Sequence, residues 1–79
     1  MIQNYYGIYD TIAKNFKGIW PSVNDATAMR LFKNACEDKS TEIGLNPIDY
    51  KLYKAGTFDD ETGEFKTEVS KIMDGRKTE

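Results

Sequence analysis

The sequence contains no histidine, one cysteine and two prolines. Without histidine, the chain lacks the side chain most used for acid–base catalysis near neutral pH and for zinc or haem ligation. The lone Cys36 excludes an intrachain disulfide and any site built from several cysteines, and we expect it to be a small buried hydrophobe. No phosphate-binding glycine loop and no run of about 18 apolar residues is present. We therefore predict a protein that is not an enzyme, carries no cofactor or metal, and does not enter a membrane.

The 79 residues suffice for one domain, because compact domains seldom have fewer than about fifty residues. We predict a single domain over residues 1–73 and a flexible polar tail over residues 74–79. No charged-then-apolar segment opens the chain, so a cytoplasmic location is expected. The composition, with 39% hydrophobic and 30% charged residues, is that of an ordinary soluble domain.

The net charge of −2 and a pI near 5.1 differ from those of strongly basic nucleic-acid binders, whose pI usually exceeds about 9. The charge is unevenly spread: residues 1–36 carry a net +2, and residues 37–79 carry a net −4. Such an asymmetry can orient a protein on a polyanion. Chance scatter is the simpler explanation, because neither half contains a dense basic run.

Alternating apolar positions predict strands at both ends of the chain. Residues 2–12 carry tyrosine or isoleucine at odd and even positions, which indicates a strand that is either central in the sheet or covered on both faces. Residues 16–20 form a shorter strand that Pro21 ends or places at an edge of the sheet. Residues 48–58 alternate again, and a last strand starts at Phe65. Gly63 is expected to take a positive φ in the hairpin between these two strands.

The clearest element is a helix over residues 24–38. Asn24 is a good N-cap, and Asp25 places a negative charge at the positive end of the helix dipole. An apolar stripe follows at helical spacing: Ala28, Met29, Phe32, Ala35 and Cys36. Residues 39–47 contain serine, glycine, asparagine and proline, and we predict a loop there.

These elements predict an α+β fold of order β-β-α-β-β, in which one amphipathic helix covers one face of a three- or four-stranded, mainly antiparallel sheet. The predicted core is Tyr6, Ile8, Ile12, Met29, Phe32, Ala35, Ile48, Tyr50, Leu52 and Phe65. The other sheet face would show Tyr5, Tyr9, Lys51 and Tyr53. A shift of one residue in register would reverse the two faces.

Four segments, in this order and spacing, resemble the small nonstructural protein of gokushovirus-type microviruses, which are single-stranded DNA phages. They are residues 6–10 (YGIYD), 24–32 (NDATAMRLF), 46–53 (NPIDYKLY) and 56–63 (GTFDDETG). The resemblance extends from about residue 5 to residue 65, although Asn46 stands where family members often carry histidine. That family is described as DNA-binding and is associated with the shift from duplex replication to single-strand synthesis and packaging. The resemblance therefore implies a nonenzymatic phage protein in the cytoplasm of a bacterial host.

Single-stranded nucleic acid is held by aromatic rings that stack on bases and by cations that contact phosphates. The candidate nucleic-acid-binding residues are Tyr5, Tyr9, Lys14, Lys17, Trp20, Arg30, Lys33, Lys51, Tyr53 and Lys54. Two alternatives stay open. The rings can instead belong to the core or pack against a second copy of the chain. Arg30 and Lys33 can belong to a solvated helix face.

The carboxylates at Asp59, Asp60, Glu61 and Glu64 do not match a calcium loop. Counted from Asp59, the sixth residue is Glu64 where an EF-hand has glycine, and the twelfth is Ser70 where it has glutamate. We interpret this segment as a hairpin turn.

Two functions follow from the sequence. The first is binding of single-stranded DNA during genome replication or packaging, and the second is a protein-interaction module that binds a phage or host replication protein without contacting DNA. An aromatic open face or an unpaired strand edge predicts a homodimer in either case. A DNA binder should place at least four of its six candidate cations (Lys14, Lys17, Arg30, Lys33, Lys51 and Lys54) beside an exposed ring. An interaction module should show an apolar patch without basic residues.

Overall fold

The computed structural model describes residues 1–77 and shows a four-stranded antiparallel sheet with one main helix. Strands β1 (Ile2–Asp10) and β2 (Asn15–Ser22) are followed by helix α1 (Asp25–Glu37), one-turn helix α2 (Glu42–Leu45), a 3₁₀ turn (Pro47–Asp49), and strands β3 (Tyr50–Asp59) and β4 (Phe65–Asp74). The strand order across the sheet is β2-β1-β3-β4, and every neighbouring pair is antiparallel. The predicted α+β fold of order β-β-α-β-β is confirmed, with Pro21 in edge strand β2.

Helix α1 begins as the sequence predicts. The Asn24 side chain accepts a hydrogen bond from the Thr27 amide at 2.9 Å, which satisfies one of the unpaired donors of the first turn. The helix buries Ala28, Phe32 and Cys36, which repeat every fourth residue. Cys36 is thus a buried side chain, and its pKa is raised above that of an ordinary thiol, mainly by burial.

The core lies between α1 and the part of the sheet nearest the β1–β2 turn. Its buried apolar members are Tyr6, Ile8, Ala28, Phe32, Cys36, Tyr50 and Leu52, with Trp20, Ile43, Ile72 and Met73 packed against them. Four of the predicted core residues are wrong: Ile12, Met29, Ile48 and Phe65 are all exposed by at least 37%. Ile12 and Ile48 lie beyond the ends of strands, where the period-two pattern stops, and Met29 lies at the margin of the helix stripe. Ala35 is half-buried.

The segment predicted as a loop contains more regular structure than expected. The Thr41 hydroxyl accepts from the Gly44 amide at 3.1 Å and caps the one-turn helix α2. A Cβ at Gly44 would lie 1.8 Å from the Asp38 carbonyl oxygen, so only glycine fits there. A helix of four residues has no periodicity to detect, and the prediction of a continuous loop over residues 39–47 was wrong for this reason.

Both hairpin turns are fixed by local hydrogen bonds. The Asp10 carboxylate accepts from the Ala13 and Ile12 amides, and these bonds, the Ala13 bond foremost, hold its pKa below the ordinary value. In the β3–β4 turn Gly63 has φ 80°, as predicted.

At the other end of β4, the Gly75 amide donates to the Tyr50 carbonyl. The segment predicted as a flexible tail, residues 74–79, overlaps strand β4 at Asp74. Residues 78–79 lie outside the described part of the chain.

Helix α1 covers only part of the sheet. The phenol of Tyr6 donates to the Asp25 carboxylate at 2.6 Å and ties the start of the helix to the middle of β1. Beyond this point, toward the β3–β4 turn, Ile2 is 59% exposed and β4 is exposed from Phe65 to Lys71. The sheet therefore has a covered half and a half with solvent on both faces.

Candidate nucleic-acid interface

The sheet face opposite α1 carries six aromatic rings, and we call it the open face. Cross-strand partners share a face, so the pairing places Tyr9 with Phe16 and Lys51, Gly7 with Ile19 and Tyr53, and Phe58 with Phe65. The predicted placement of Tyr5, Tyr9, Lys51 and Tyr53 together on this face is confirmed. The rings of the open face are Tyr5, Tyr9, Phe16, Tyr53, Phe58 and Phe65.

A β-bulge in β3 brings Phe58 to the same face as Tyr53. Tyr53 and Phe58 are an odd number of residues apart and would lie on opposite faces of a regular strand. The register shifts between Tyr5 and Tyr6, which pair with Gly56 and Lys54, so Ala55 is the extra residue. After Ala55 the alternation reverses, and Phe58 joins Tyr53.

The rings form two mutually packed groups. In the Tyr53 triad (Tyr9, Phe16 and Tyr53) the ring centroids are 5.0–6.0 Å apart, and in the Phe58 triad (Tyr5, Phe58 and Phe65) Tyr5 lies 6.1 and 5.7 Å from the other two rings. All five contacts are edge-to-face, the arrangement that the aromatic quadrupole favours. The rings thus hold each other in place while their outer surfaces stay in contact with solvent.

Each triad has one ring lying over a glycine of the sheet. A Cβ at Gly7 would come within 3.3 Å of a Phe16 ring carbon, and a Cβ at Gly56 would come within 3.0 Å of a Phe65 ring carbon. The rings therefore share with the Gly18 and Lys66 carbonyl oxygens the space that a side chain would fill, and they shield the glycine backbone. This contact limits how far each ring can tilt toward the sheet.

The lysines of the open face lie beside the Tyr53 triad. The Lys51 ammonium lies 2.5 Å from the Asp74 carboxylate, and the Lys71 ammonium lies 3.3 Å from the same oxygen. Hydrogen bonds from Lys51 and then Lys71 hold the pKa of Asp74 below its ordinary value. This Lys51–Asp74–Lys71 cluster carries two cations against one carboxylate and thus a net charge of +1.

Of the ten candidate residues, the fold brings together Tyr5, Tyr9, Tyr53 and Lys51. Trp20 pairs with Tyr6 and packs against the core on the helix side, where its indole N–H has no hydrogen-bond partner among the described residues. Lys54 also pairs with Tyr6 and thus points to the helix side. Because neighbouring strand residues alternate between faces, neither can share a platform with Tyr53.

The remaining four candidates lie away from the rings. Lys17 reaches back to the Asp10 carboxylate at 3.7 Å, and Lys14 lies in the β1–β2 turn with φ 61°. Arg30 and Lys33 are exposed on α1, which lies on the other side of the sheet. Of the six candidate cations, the register places Lys51 alone beside the rings, so the criterion of four is not met.

Sequence reasoning did not include Phe16, Phe58, Phe65 and Lys71 in the candidate set. The sequence could have placed Lys71 on this face, because it continues the alternation of Phe65, Thr67 and Val69 along β4. It could not place Phe58 there, because the bulge at Ala55 reverses the alternation and Gly56 indicates a bulge only weakly. The sequence did not place Phe16 and Phe65 on this face because each follows a register shift within its hairpin: Phe16 pairs with Tyr9 beyond the shift at Gly7, and Phe65 pairs with Phe58 beyond the bulge at Ala55.

The acidic residues of the β3–β4 turn make contacts that stabilise the turn itself. The Asp59 carboxylate accepts from the Glu61 amide at 2.9 Å, and this bond is the main cause of its lowered pKa. The amino group of Met1 lies 2.7 Å from Asp60, within reach of Asp59 and Glu61 as well. Over residues 1–77 there is no group of three or more histidine, cysteine, aspartate or glutamate side chains placed to hold a metal ion. Within the same residues no helix is long and apolar enough to cross a membrane.

A family model described as Phage ORF5 protein matches residues 3–77, nearly the whole chain. No curated protein and no solved structure matches.

Proposed function

The chain belongs to the Phage ORF5 protein family, and from this membership and the open face we propose that it is a nonenzymatic phage protein that binds single-stranded DNA. The observation that carries the proposal is the set of six aromatic rings on the uncovered face of an antiparallel sheet. A sheet face of this kind is one of the common platforms on which single-stranded nucleic acids stack their bases. We further propose that the protein acts in the bacterial cytoplasm during genome replication or packaging, as the resemblance to the gokushovirus proteins implies.

The aromatic rings distinguish single-stranded from duplex DNA by whether the bases are exposed. A duplex already stacks its bases internally, so only an unpaired strand can offer base faces to Tyr9, Phe16 and Tyr53. Each stacked base contributes roughly 1–3 kcal/mol. Because the rings are positioned by each other and by the glycines beneath them, little side-chain entropy is lost when a base binds. Affinity for single strands over duplex is the expected signature.

Phosphate contacts contribute less in this protein than in basic DNA binders. Lys51 and Lys71 are the cations beside the rings, and both contact Asp74. A phosphate would compete with the Asp74 carboxylate for these ammonium groups. Stacking therefore supplies the larger share of the proposed affinity, and sequence readout is not expected, because every base has a stackable face.

The proposal is tested by fluorescence anisotropy with a labelled single-stranded oligonucleotide and its duplex. Tyr53→Leu removes a stacking ring but keeps an apolar side chain, and Tyr53→Phe is the matched control that keeps the ring. We expect Tyr53→Leu to weaken single-strand binding about fivefold to 150-fold, the equivalent of one stacked base, and Tyr53→Phe to bind nearly as tightly as the parent. Equal affinities for all three proteins would contradict a role for this ring.

A second function is favoured by the scarcity of cations on the open face. The Phe58 triad has its basic neighbour Lys66 on the helix side of the sheet, and the net charge is −2. These features suit an interaction module that docks a phage or host replication protein through its rings. Absence of DNA binding at about 50 mM salt and tens of micromolar protein would favour this alternative.

A further inference from the structure

We propose that the open face also docks a second copy of this chain, with the two sheets stacked face to face and the strands of one copy running opposite to those of the other. The argument uses the charge at the two ends of the open face, the area of that face, and the state of the sheet edges. The association itself does not depend on DNA binding. Only its consequence for DNA, given below, rests on the proposed function.

The two ends of the open face carry opposite charge. The end at the β3–β4 turn has the carboxylates of Asp60 and Glu61 and the Met1 ammonium, a net charge of −1. Asp59 and Glu64 lie on the helix side of the sheet, in the same concavity as Lys66. About eight residues along the strands, beside the Tyr53 triad, the Lys51–Asp74–Lys71 cluster carries a net +1. The face therefore has a charge gradient along its long direction.

This gradient selects one of two possible two-fold stacks. An axis parallel to the strands would place acidic turn on acidic turn, where like charges repel. An axis that crosses the strands places the acidic turn of each copy over the lysine cluster of the other, so each favourable contact occurs twice. The same operation places the Phe58 triad of one copy over the Tyr53 triad of its partner. Complementary charges and facing rings thus coincide in the antiparallel stack.

The area is sufficient for a weak, reversible dimer. A strand of nine residues and four strands at a spacing of about 4.8 Å give a face of roughly 600 Å². Two copies would bury roughly 1,200 Å² in total, the lower limit of ordinary specific interfaces. Aromatic residues are enriched at the centre of such interfaces, and here six aromatic rings lie on the face. We expect micromolar association.

The edges of the sheet favour docking on the face over addition of strands. Edge strand β2 contains Pro21, which has no amide hydrogen to donate, and its pairing with β1 is interrupted near Gly18. Edge strand β4 shifts register twice against β3. Bulges and proline at an edge oppose pairing with another chain. The exposed face is consequently the better surface for a second copy.

If the proposed DNA platform is correct, self-association regulates it. The second copy covers the same rings that would stack on bases, so DNA and the partner copy exclude each other. Single-stranded DNA would then convert dimers into DNA-bound monomers, and the free protein would keep its rings away from other apolar surfaces.

The test is sedimentation equilibrium of the full chain without DNA, up to about 300 µM protein, a range that detects micromolar affinities. Lys71→Glu should weaken the dimer at least about tenfold, because it places a carboxylate opposite the acidic turn twice. Glu61→Lys alone should weaken the dimer as well, since it places a lysine opposite the lysine cluster of the other copy. The double variant, which carries both Lys71→Glu and Glu61→Lys, should recover most of the affinity, because opposite charges again face each other across the interface. Lys33→Glu on α1 makes the same change of net charge away from the interface and should leave the dimer intact.

Far-UV circular dichroism establishes that each variant is folded, and recovery in the double variant excludes a simple folding defect. A chain that is monomeric throughout this range overturns the proposal. A dimer that is insensitive to Lys71→Glu, or one that the double variant does not restore, also overturns it. None of these results bears on DNA binding, which is measured separately by an anisotropy titration that starts at protein concentrations below dimer formation.

Discussion

The hydrogen bond from Tyr6 to Asp25 joins the sheet to the helix, and Tyr6→Phe removes it without changing the ring. The donor–acceptor distance is 2.6 Å, and the acceptor is charged. Hydrogen bonds to charged groups contribute about 1.5–3 kcal/mol. Asp25 is exposed and can be hydrated once the phenol is gone, so we expect a loss near the lower limit, about 1.5 kcal/mol. That is a large share of the roughly 3–5 kcal/mol that a core of this size supplies.

The same contact predicts how stability changes at high pH. Burial, and then the Asp25 hydrogen bond, raise the pKa of Tyr6 from 10.0 to about 12. Below pH 10 both folded and unfolded chains keep the phenol proton, and the stabilisation is complete. Between pH 10 and 12 the unfolded chain loses the proton first, so the free energy of unfolding falls by roughly 1 kcal/mol per pH unit. Tyr6→Phe should flatten this decline, leaving a part due to Tyr50, whose pKa burial also raises.

The assay is urea unfolding followed by the fluorescence of Trp20, the sole tryptophan, at pH 7 and at steps up to pH 11. Tyr53→Phe is the matched control, because it removes a phenol from the open face and leaves the helix contact intact. Two results would refute the reasoning: Tyr6→Phe as stable as the parent at pH 7, or an alkaline decline of the same steepness in both proteins.

Three further predictions concern the sheet, the helix and the salt dependence of DNA binding. A Cβ at Gly56 would lie 2.1 Å from the Lys66 carbonyl oxygen, so Gly56→Ala should lower the free energy of unfolding in urea by about 2–4 kcal/mol. Gly63 has a positive φ but open space around it, so Gly63→Ala should lower the free energy of unfolding by only about 1 kcal/mol. Equal losses in the two variants would contradict the steric argument. Asn24→Ala should destabilise by about 1 kcal/mol and Asn24→Asp by much less, since aspartate also caps; an unchanged urea midpoint for Asn24→Ala would show that the cap contributes nothing. If single-stranded DNA contacts both Lys51 and Lys71, the slope of log K against log salt should be about −1.4, and a slope near −5 would require cations elsewhere on the surface.

The elements of the fold were predictable because their signals are local. Asn24, Asp25 and the buried positions of α1 follow a 3.6-residue period, and Gly63 follows an acidic turn between two alternating segments. The short helix α2 gave no such signal, and its dependence on Gly44 arises from contact with the Asp38 carbonyl. Local periodicity therefore predicted the helix and the strands, and tertiary contact determined the connection between them.

The candidate site was predictable only in part because a face of a sheet depends on register. Tyr5, Tyr9 and Tyr53 alternate regularly up to the bulge, and the sequence placed them correctly. Beyond Ala55 the alternation reverses, which moved Phe58 to the open face. Trp20 belongs to the helix side because β2 pairs with β1 in one particular register. No composition or charge rule gives that register.

The partial cover of the sheet by α1 implies an uneven resistance to local opening. Amides of β1 and β3 beside Phe32 lie under the helix and should exchange their hydrogens with solvent only when the whole domain unfolds. Amides of β4 between Phe65 and Lys71 lie at an exposed edge with water on both faces, and they should exchange through smaller fluctuations of the hairpin. The Phe58 triad would then be the adaptable half of the open face and the Tyr53 triad its rigid half. A flexible chain that binds this face would contact the rigid Tyr53 triad at one end and the more mobile Phe58 triad at the other.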